Sequence, residues 1–294
     1  MLSPGIIGDG VEGEFDAYSQ GGAILERAIR RVGMAREQFD FGRMRPVTIA
    51  FGDTALRIAT GLAGPKLGVR HLAGFALPAP TGVVIPCFHP LYIRQGHGSH
   101  MGVLMRALRL AMELAKSGAQ PLAPTPDAPP PGYITHPTLE QALEFEAACS
   151  GARYIAYDIE TPYSTEEDSA EEAEGEQPIK SIQFSCRSGE GIYFPWRGAF
   201  CDSAHRILSN PVDKLGWNVW RFDNPILTAS GCAIGGANHD LMWAWHHSQP
   251  DLPRGLQFAA AQQGWPWPWK HLDNAAPEFY GIVDVDVLQF MVTQ

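Results

Sequence analysis

Between Pro121 and Gly132 the chain reads Pro-Leu-Ala-Pro-Thr-Pro-Asp-Ala-Pro-Pro-Pro-Gly. Proline fixes φ and brings no N–H, so such a run sustains neither a helix nor a central strand and forms an extended spacer. It divides the 294 residues into a first domain, 1–117, and a second, 137–294, with 118–136 as the linker. Each part is long enough to bury a core of its own. Neither holds an apolar stretch long enough to cross a bilayer, and Met1-Leu2-Ser3-Pro4-Gly5 lacks the basic-then-apolar order of a signal peptide. A cytoplasmic protein with no membrane partner is expected. The five cysteines, Cys87, Cys149, Cys186, Cys201 and Cys232, never form a C-x-x-C pair. Reduced, mostly buried thiols are therefore expected, rather than a disulfide framework or a zinc or iron–sulfur site.

The formal net charge of −10 is unevenly spread. Residues 1–120 carry 13 Lys and Arg against 9 Asp and Glu, whereas 121–294 carry 9 against 23. Part of that excess is one run, Glu166-Glu167-Asp168-Ser169-Ala170-Glu171-Glu172-Ala173-Glu174-Gly175-Glu176, whose like charges suit a solvated loop. An acidic domain still binds nucleic acid when divalent cations sit between its carboxylates and the phosphates.

Both halves alternate strands and helices, an α/β pattern. In the first, helical apolar spacing runs from Gly22 to Val32, a buried strand over Val47–Phe51, a helix over Asp53–Leu62, a strand over Val83–Phe88 and a helix over Met101–Leu114. In the second, a helix over Thr138–Cys149 leads into the apolar strand Tyr154-Ile155-Ala156-Tyr157-Asp158-Ile159-Glu160. Ser181–Cys186 and Gly191–Pro195 flank the turn Ser188-Gly189-Glu190-Gly191 as a hairpin. A fourth short strand is read at Lys214–Asn218, with helices over Phe222–Ala229 and Asp240–His247.

The period of two puts Asp158 and Glu160 on one face of their strand and Ile159 on the other. Two carboxylates converging at the end of an apolar strand invite a cation, since burying them without one is costly. From the pair alone, a strand that simply emerges into solvent fits equally well. Asp223, in Asn218-Val219-Trp220-Arg221-Phe222-Asp223, stands at a helix start, where an acid also suits the helix dipole. Tyr280 and Asp284 are four apart and share a face if their segment is helical.

Together these segments, D-I-E, N-x-x-x-F-D and Y-x-x-x-D, resemble the three motifs of the proofreading exonucleases with a ribonuclease-H-like fold, the tyrosine branch of the DEDD superfamily. Asp240-Leu241-Met242, the stretch from Pro250 to Leu256, and Trp269-Lys270-His271-Leu272 are similar to exonuclease segments of phage-type family-A DNA polymerases. The resemblance spans roughly Thr138 to the end. It implies 3′-to-5′ hydrolysis of DNA by two Mg²⁺ or Mn²⁺ ions, in replication proofreading or repair. Asp158 would bridge both ions, Glu160 and Asp284 would complete the shell of the water-activating ion, and Asp223 would act mainly on the other. Tyr280 would orient the attacking water, and Asn218 and Phe222 would contact substrate. The implied partners are a single-stranded 3′ end and a DNA polymerase domain or subunit, in a bacterial or phage-infected cell.

In the first half, Gly82-Val83-Val84-Ile85-Pro86-Cys87-Phe88-His89-Pro90-Leu91 is similar to the strand-to-loop motif of uracil-DNA glycosylases, and Val47–Ala59 to that family's central strand and helix. The resemblance implies an α/β/α domain with a pocket for a flipped base, in which His89 would polarise a carbonyl and Asp9 or Glu12 would activate water. Gly8-Asp9-Gly10 keeps only part of the family's glycine-rich loop, and Leu91 stands where the family has a serine. A degenerate domain that retains the fold is expected. The rivals to the exonuclease reading are active uracil excision and a noncatalytic DNA-binding or polymerase-docking module.

Overall fold

The computed structural model describes residues 3–8, 15–64, 66–118, 125–162, 179–272 and 276–293. Asp9, Glu12 and the acidic run 166–176 lie outside them. In chain order the elements are β1 (Gly5–Ile7), α1 (Gln20–Arg31), β2 (Asp40–Phe41), β3 (Val47–Phe51), α2 (Gly52–Thr60), α3 (Val69–Leu72), β4 (Leu77–Ala79), β5 (Gly82–Cys87), α4 (Pro90–Arg94) and α5 (Met101–Ser117). They continue with β6 (Tyr133–Ile134), α6 (Leu139–Cys149), β7 (Ile155–Glu160), β8 (Ser181–Ser185), β9 (Gly191–Pro195), α7 (Gly198–Ser209), β10 (Lys214–Gly216), α8 (Asp223–Ala229), β11 (Asn238–Asp240), α9 (Leu241–Ser248), α10 (Leu256–Gln263) and α11 (Pro277–Thr293). Among the described residues no helix is long and apolar enough to cross a membrane.

Two compact units emerge, and both are discontinuous: residues 1–125 with 249–271, and 126–248 with 272–294. The sequence places 249–271 in the second domain; the structure packs it with the first. The cause is α10, whose residues from Leu256 to Ala261 are all buried, so the helix has no wet face and needs a core around it. Gln257 anchors it, donating to the His71 carbonyl at 3.1 Å and accepting from the Trp269 and Lys270 N–H groups at 2.7 and 2.8 Å.

The sheet of the first unit runs β2-β1-β3-β5-β4, parallel except for β4. All five residues of β3 are buried, as in a strand covered on both faces, and the one polar side chain among them, Thr48, donates to the Arg45 carbonyl at 2.8 Å.

The sheet of the second unit runs β11-β10-β7-β8-β9-β6, with β7, β8 and β9 antiparallel and the outer strands parallel to their neighbours. The expected linker is shorter than its proline content suggests, because Tyr133 and Ile134 join this sheet beside β9. Gly132 permits that approach: a Cβ there would lie 2.1 Å from the Gly189 carbonyl oxygen. The two faces of the sheet differ. Ile155, Tyr157, Ile159, Ile182, Phe184, Ile192 and Phe194 form an apolar core with residues of α6, α7 and α8. The opposite face, with Ser181, Gln183 and Ser185, lies under α11. That helix sits close, since a Cβ on Gly281 would be 2.7 Å from the Gln183 side chain and one on Gly191 2.5 Å from Ile282. Asp286 fastens the helix further, accepting from the Tyr133 hydroxyl at 2.5 Å and the Gly189 N–H at 2.7 Å.

Candidate functional site

The alternation of β7 sends Ile159 into the apolar core and turns Asp158 and Glu160, both half-buried, to the α11 face. In register with β8, Asp158 pairs with Gln183 and Glu160 with Ser181, so the strand beside the two acids is polar on that face. From α11, Asp284 comes to meet them, only 4% exposed. One ligand oxygen from each of Asp158, Glu160 and Asp284 lies within 4.8 Å of the others. Three carboxylates so close repel one another in the absence of a cation. Tyr280 stands one helical turn before Asp284 on the same face of α11, half-buried.

Asp223, the fourth acid, arrives from a different direction. The odd residues of β7 aim their N–H groups toward β10, as the bond from the Ile155 N–H to the Asp213 carbonyl shows. Because β10 ends at Gly216 and pairs only with Ile155 and Ala156, the Ile159 N–H finds no strand partner there. The Asp223 carboxylate takes it instead, at 3.0 Å. Burial pushes this carboxyl up to about 7; bonds from backbone N–H groups oppose the rise, and the charge of Glu160 adds to it. Asp223 is therefore next to the three clustered acids without being one of the cluster.

In the sequence Asp240 opens a helix and belongs to one of the exonuclease-like segments, with no role of its own; the structure gives it one. Its carboxylate, 4% exposed, accepts from the N–H groups of Asn218 at 3.0 Å, Trp220 at 3.2 Å and Met242 at 3.1 Å. It thus secures the turn that delivers Asp223. Asn218 has φ +63°, a left-handed conformation that Asn tolerates better than most residues. Phe222 packs against the apolar core in part, and its N–H bonds to the Asn218 carbonyl at 3.1 Å. Tyr157 steadies the same helix start, donating to the Asn224 side chain at 2.5 Å. No local signal reveals this role, since two of its three partners, Asn218 and Trp220, lie about twenty residues away.

In the first unit His89 lines a cleft of about 730 Å³ with Gly52, Asp53, Phe88, Tyr92 and Arg254. The cleft lies where the parallel strands β3 and β5 end, the usual ligand position in an open α/β sheet. The His89 Nδ1 accepts from the Leu91 N–H at 3.2 Å, which places the proton of a neutral ring on Nε2.

No protein-family profile and no curated protein sequence matches this chain. Solved structures are similar over about half of it. Trypanosoma brucei RNase D, in complex with RNA U12, matches at 18% identity and a TM-score of 0.34, over 53% of this chain and 61% of that one. The Aedes aegypti Nibbler EXO domain matches at 11% identity and a TM-score of 0.39, over 55% of this chain and 88% of that one. Escherichia coli RNase D, an exoribonuclease involved in structured RNA processing, matches at 14% identity and a TM-score of 0.34, over 55% and 43%. The match thus spans less than two thirds of either RNase D chain. Likeness at this level leaves the function to be read from the site.

Proposed function

We propose that the second unit is a divalent-metal-dependent 3′-to-5′ exonuclease that removes nucleotides from the single-stranded 3′ end of DNA. The observation that carries this reading is the cluster of Asp158, Glu160 and Asp284, drawn from a strand and a distant helix to within 4.8 Å, with Asp223 beside it. The donor set fits the expected ions: carboxylate oxygens without sulfur or imidazole suit Mg²⁺ or Mn²⁺. Asp158, Glu160 and Asp284 would hold them, with Asp223 completing the set. When bound, such ions supply the positive charge that polarises a phosphodiester and acidifies water.

The chain's own residues do the rest. The β7–β8 ladder fixes the backbone that carries Asp158 and Glu160, and the close packing of α11 fixes that of Asp284, so the fold itself brings the three carboxylates together. Tyr280, one turn from Asp284 on α11, would hydrogen-bond a water and fix its direction of attack. The Asn218 turn and Phe222, adjoining Asp223, offer polar and aromatic contacts to a terminal nucleotide. DNA is chosen as substrate on the resemblance of Asp240–Met242, Pro250–Leu256 and Trp269–Leu272 to exonuclease segments of DNA polymerases, and a matched RNA strand is the comparison. With Mg²⁺ or Mn²⁺ the purified chain is expected to shorten a 5′-labelled DNA strand to a ladder, and Asp158→Ala to abolish it. A ladder unchanged in that variant refutes the site. A ladder from RNA alone refutes the substrate.

The His89 cleft supports a second reading for the first unit, recognition of an extruded base, with uracil excision as its active form. Alkali-labile sites in a uracil-containing strand, lost in His89→Ala, would establish it.

A further inference from the structure

The cysteine spacing in the sequence suggests isolated thiols, yet the fold brings two of them together. The Sγ atoms of Cys149 and Cys186 are 2.9 Å apart across a separation of 37 residues. We propose that Cys149 and Cys186 form a dithiol site that a low-molecular-weight disulfide, such as glutathione disulfide, oxidises to an intramolecular disulfide.

Both sulfurs stand on firm supports. Cys149 is the last residue of α6, a helix whose N-terminus is closed by a Thr138–Gln141 capping box. Glu146 ties that helix to α7, accepting from Arg206 at 2.6 and 2.8 Å and from the Ser203 hydroxyl at 2.5 Å. Cys186 follows β8 directly, and the preceding Ser185 carbonyl accepts from the Gln289 side chain of α11 at 2.8 Å. A disulfide has its sulfurs about 2.05 Å apart, so closure asks the two sulfurs to approach by roughly 0.9 Å. The two thiols also differ in access. Cys149 is fully buried, whereas Cys186 is only partly buried and is the one of the pair that a solution oxidant meets. The Cys149 thiol is pushed far up by its contact with Cys186 and by burial, which keeps it protonated until a disulfide forms beside it. Among the neighbouring charges Lys214 opposes that rise and Glu146 adds to it.

The exchange balances. The Cys186 sulfur, as thiolate, attacks one sulfur of glutathione disulfide and forms a mixed disulfide, releasing one glutathione thiolate. Cys149 then attacks the Cys186 sulfur and displaces the second glutathione, and its proton goes to a released thiolate. Two protein thiols are oxidised and one small disulfide is reduced to two thiols. The loop so closed contains β7 with Asp158 and Glu160. By restricting the unfolded chain, it raises the melting temperature on the order of 10 °C.

The test equilibrates the folded full-length chain with glutathione disulfide, alkylates the remaining thiols, and maps the digest by mass spectrometry. The expected product joins the Cys149 and Cys186 peptides with loss of two hydrogens, while Cys87, Cys201 and Cys232 are alkylated. Cys149→Ser is expected to stop at a glutathione adduct on Cys186, and Cys186→Ser to give neither adduct nor cross-link at Cys149. The proposal is overturned if both thiols of the wild-type chain remain alkylatable, or if its Cys186 ends as a stable glutathione adduct without the cross-link. Because the wild-type chain decides these outcomes, a variant that fails to fold does not obscure them.

Discussion

Replacing Asp240 by alanine tests whether one buried carboxylate organises the turn that carries Asn218 and leads to Asp223. Three N–H groups lose their acceptor at once: Asn218, Trp220 and Met242. An orphaned buried donor costs about 1–3 kcal/mol. Asn218 and Met242 are half-buried and Trp220 is exposed, so water recovers part of each bond. The net loss is then about 3 kcal/mol, which lowers the melting temperature by roughly 6–12 °C for a unit of this size. Asp240→Asn keeps one carbonyl oxygen, able to serve the two donors that now share Oδ1, and is expected to lose only about 1 kcal/mol. Scanning calorimetry reads the stability, and amide hydrogen exchange reads the local effect: Asn218 and Met242 are expected to lose protection in Asp240→Ala. If the alanine variant melts within about 1 °C of the wild type and those two amides exchange as before, the assigned role is wrong.

Gly281→Ala sets two effects against each other. Alanine gains about 1 kcal/mol of helix propensity, but its Cβ meets the Gln183 side chain at 2.7–3.0 Å, and such overpacking costs about 1–3 kcal/mol. Denaturant unfolding is expected to show a net loss of about 1 kcal/mol, with weaker Mn²⁺ uptake because Asp284 rides on the same helix. His100 carries a pH dependence. Its pKa is lowered from 6.5, first by burial and then by the charge of His97, with Asp251 opposing. The unfolded chain therefore takes up a proton that the folded chain refuses, so stability is lost as pH falls through the region below 6.5. His100→Gln is expected to remove that part of the slope in urea midpoints measured between pH 5 and 7.5. Lys214, fully buried, donates to the carbonyls of Asn210, Val212 and Gly235 at 2.6, 2.5 and 3.1 Å. Lys214→Met leaves all three without that donor and is expected to cost on the order of 3 kcal/mol in urea unfolding at pH 7.

Strong local periodicity made much of the fold legible. The alternation of β7 fixed which face holds Asp158 and Glu160, and the four-residue spacing of Tyr280 and Asp284 put both on one side of α11. What stayed hidden depends on contacts remote in sequence. The destination of α10 is decided by a core around His71 and Ala73, which nothing in the local pattern of Leu256–Gln263 reveals. Proline content disguised β6, because its pairing with β9 requires only two residues and one glycine. The Cys149–Cys186 contact is invisible for the same reason, as no spacing rule links a helix end to a strand end. Asp9 lies outside the described residues, so its expected place beside His89 stands on sequence alone.

The central claim, that Asp158, Glu160 and Asp284 hold divalent cations with Asp223 beside them, is tested most directly by calorimetric titration of the full chain with Mn²⁺ in the presence of a nucleoside monophosphate. Saturable uptake at neutral pH is expected, weakened at least tenfold in Asp158→Ala and in Asp284→Ala when circular dichroism shows both variants folded. An isotherm that is flat in the wild type, or identical in wild type and variants, would contradict the account.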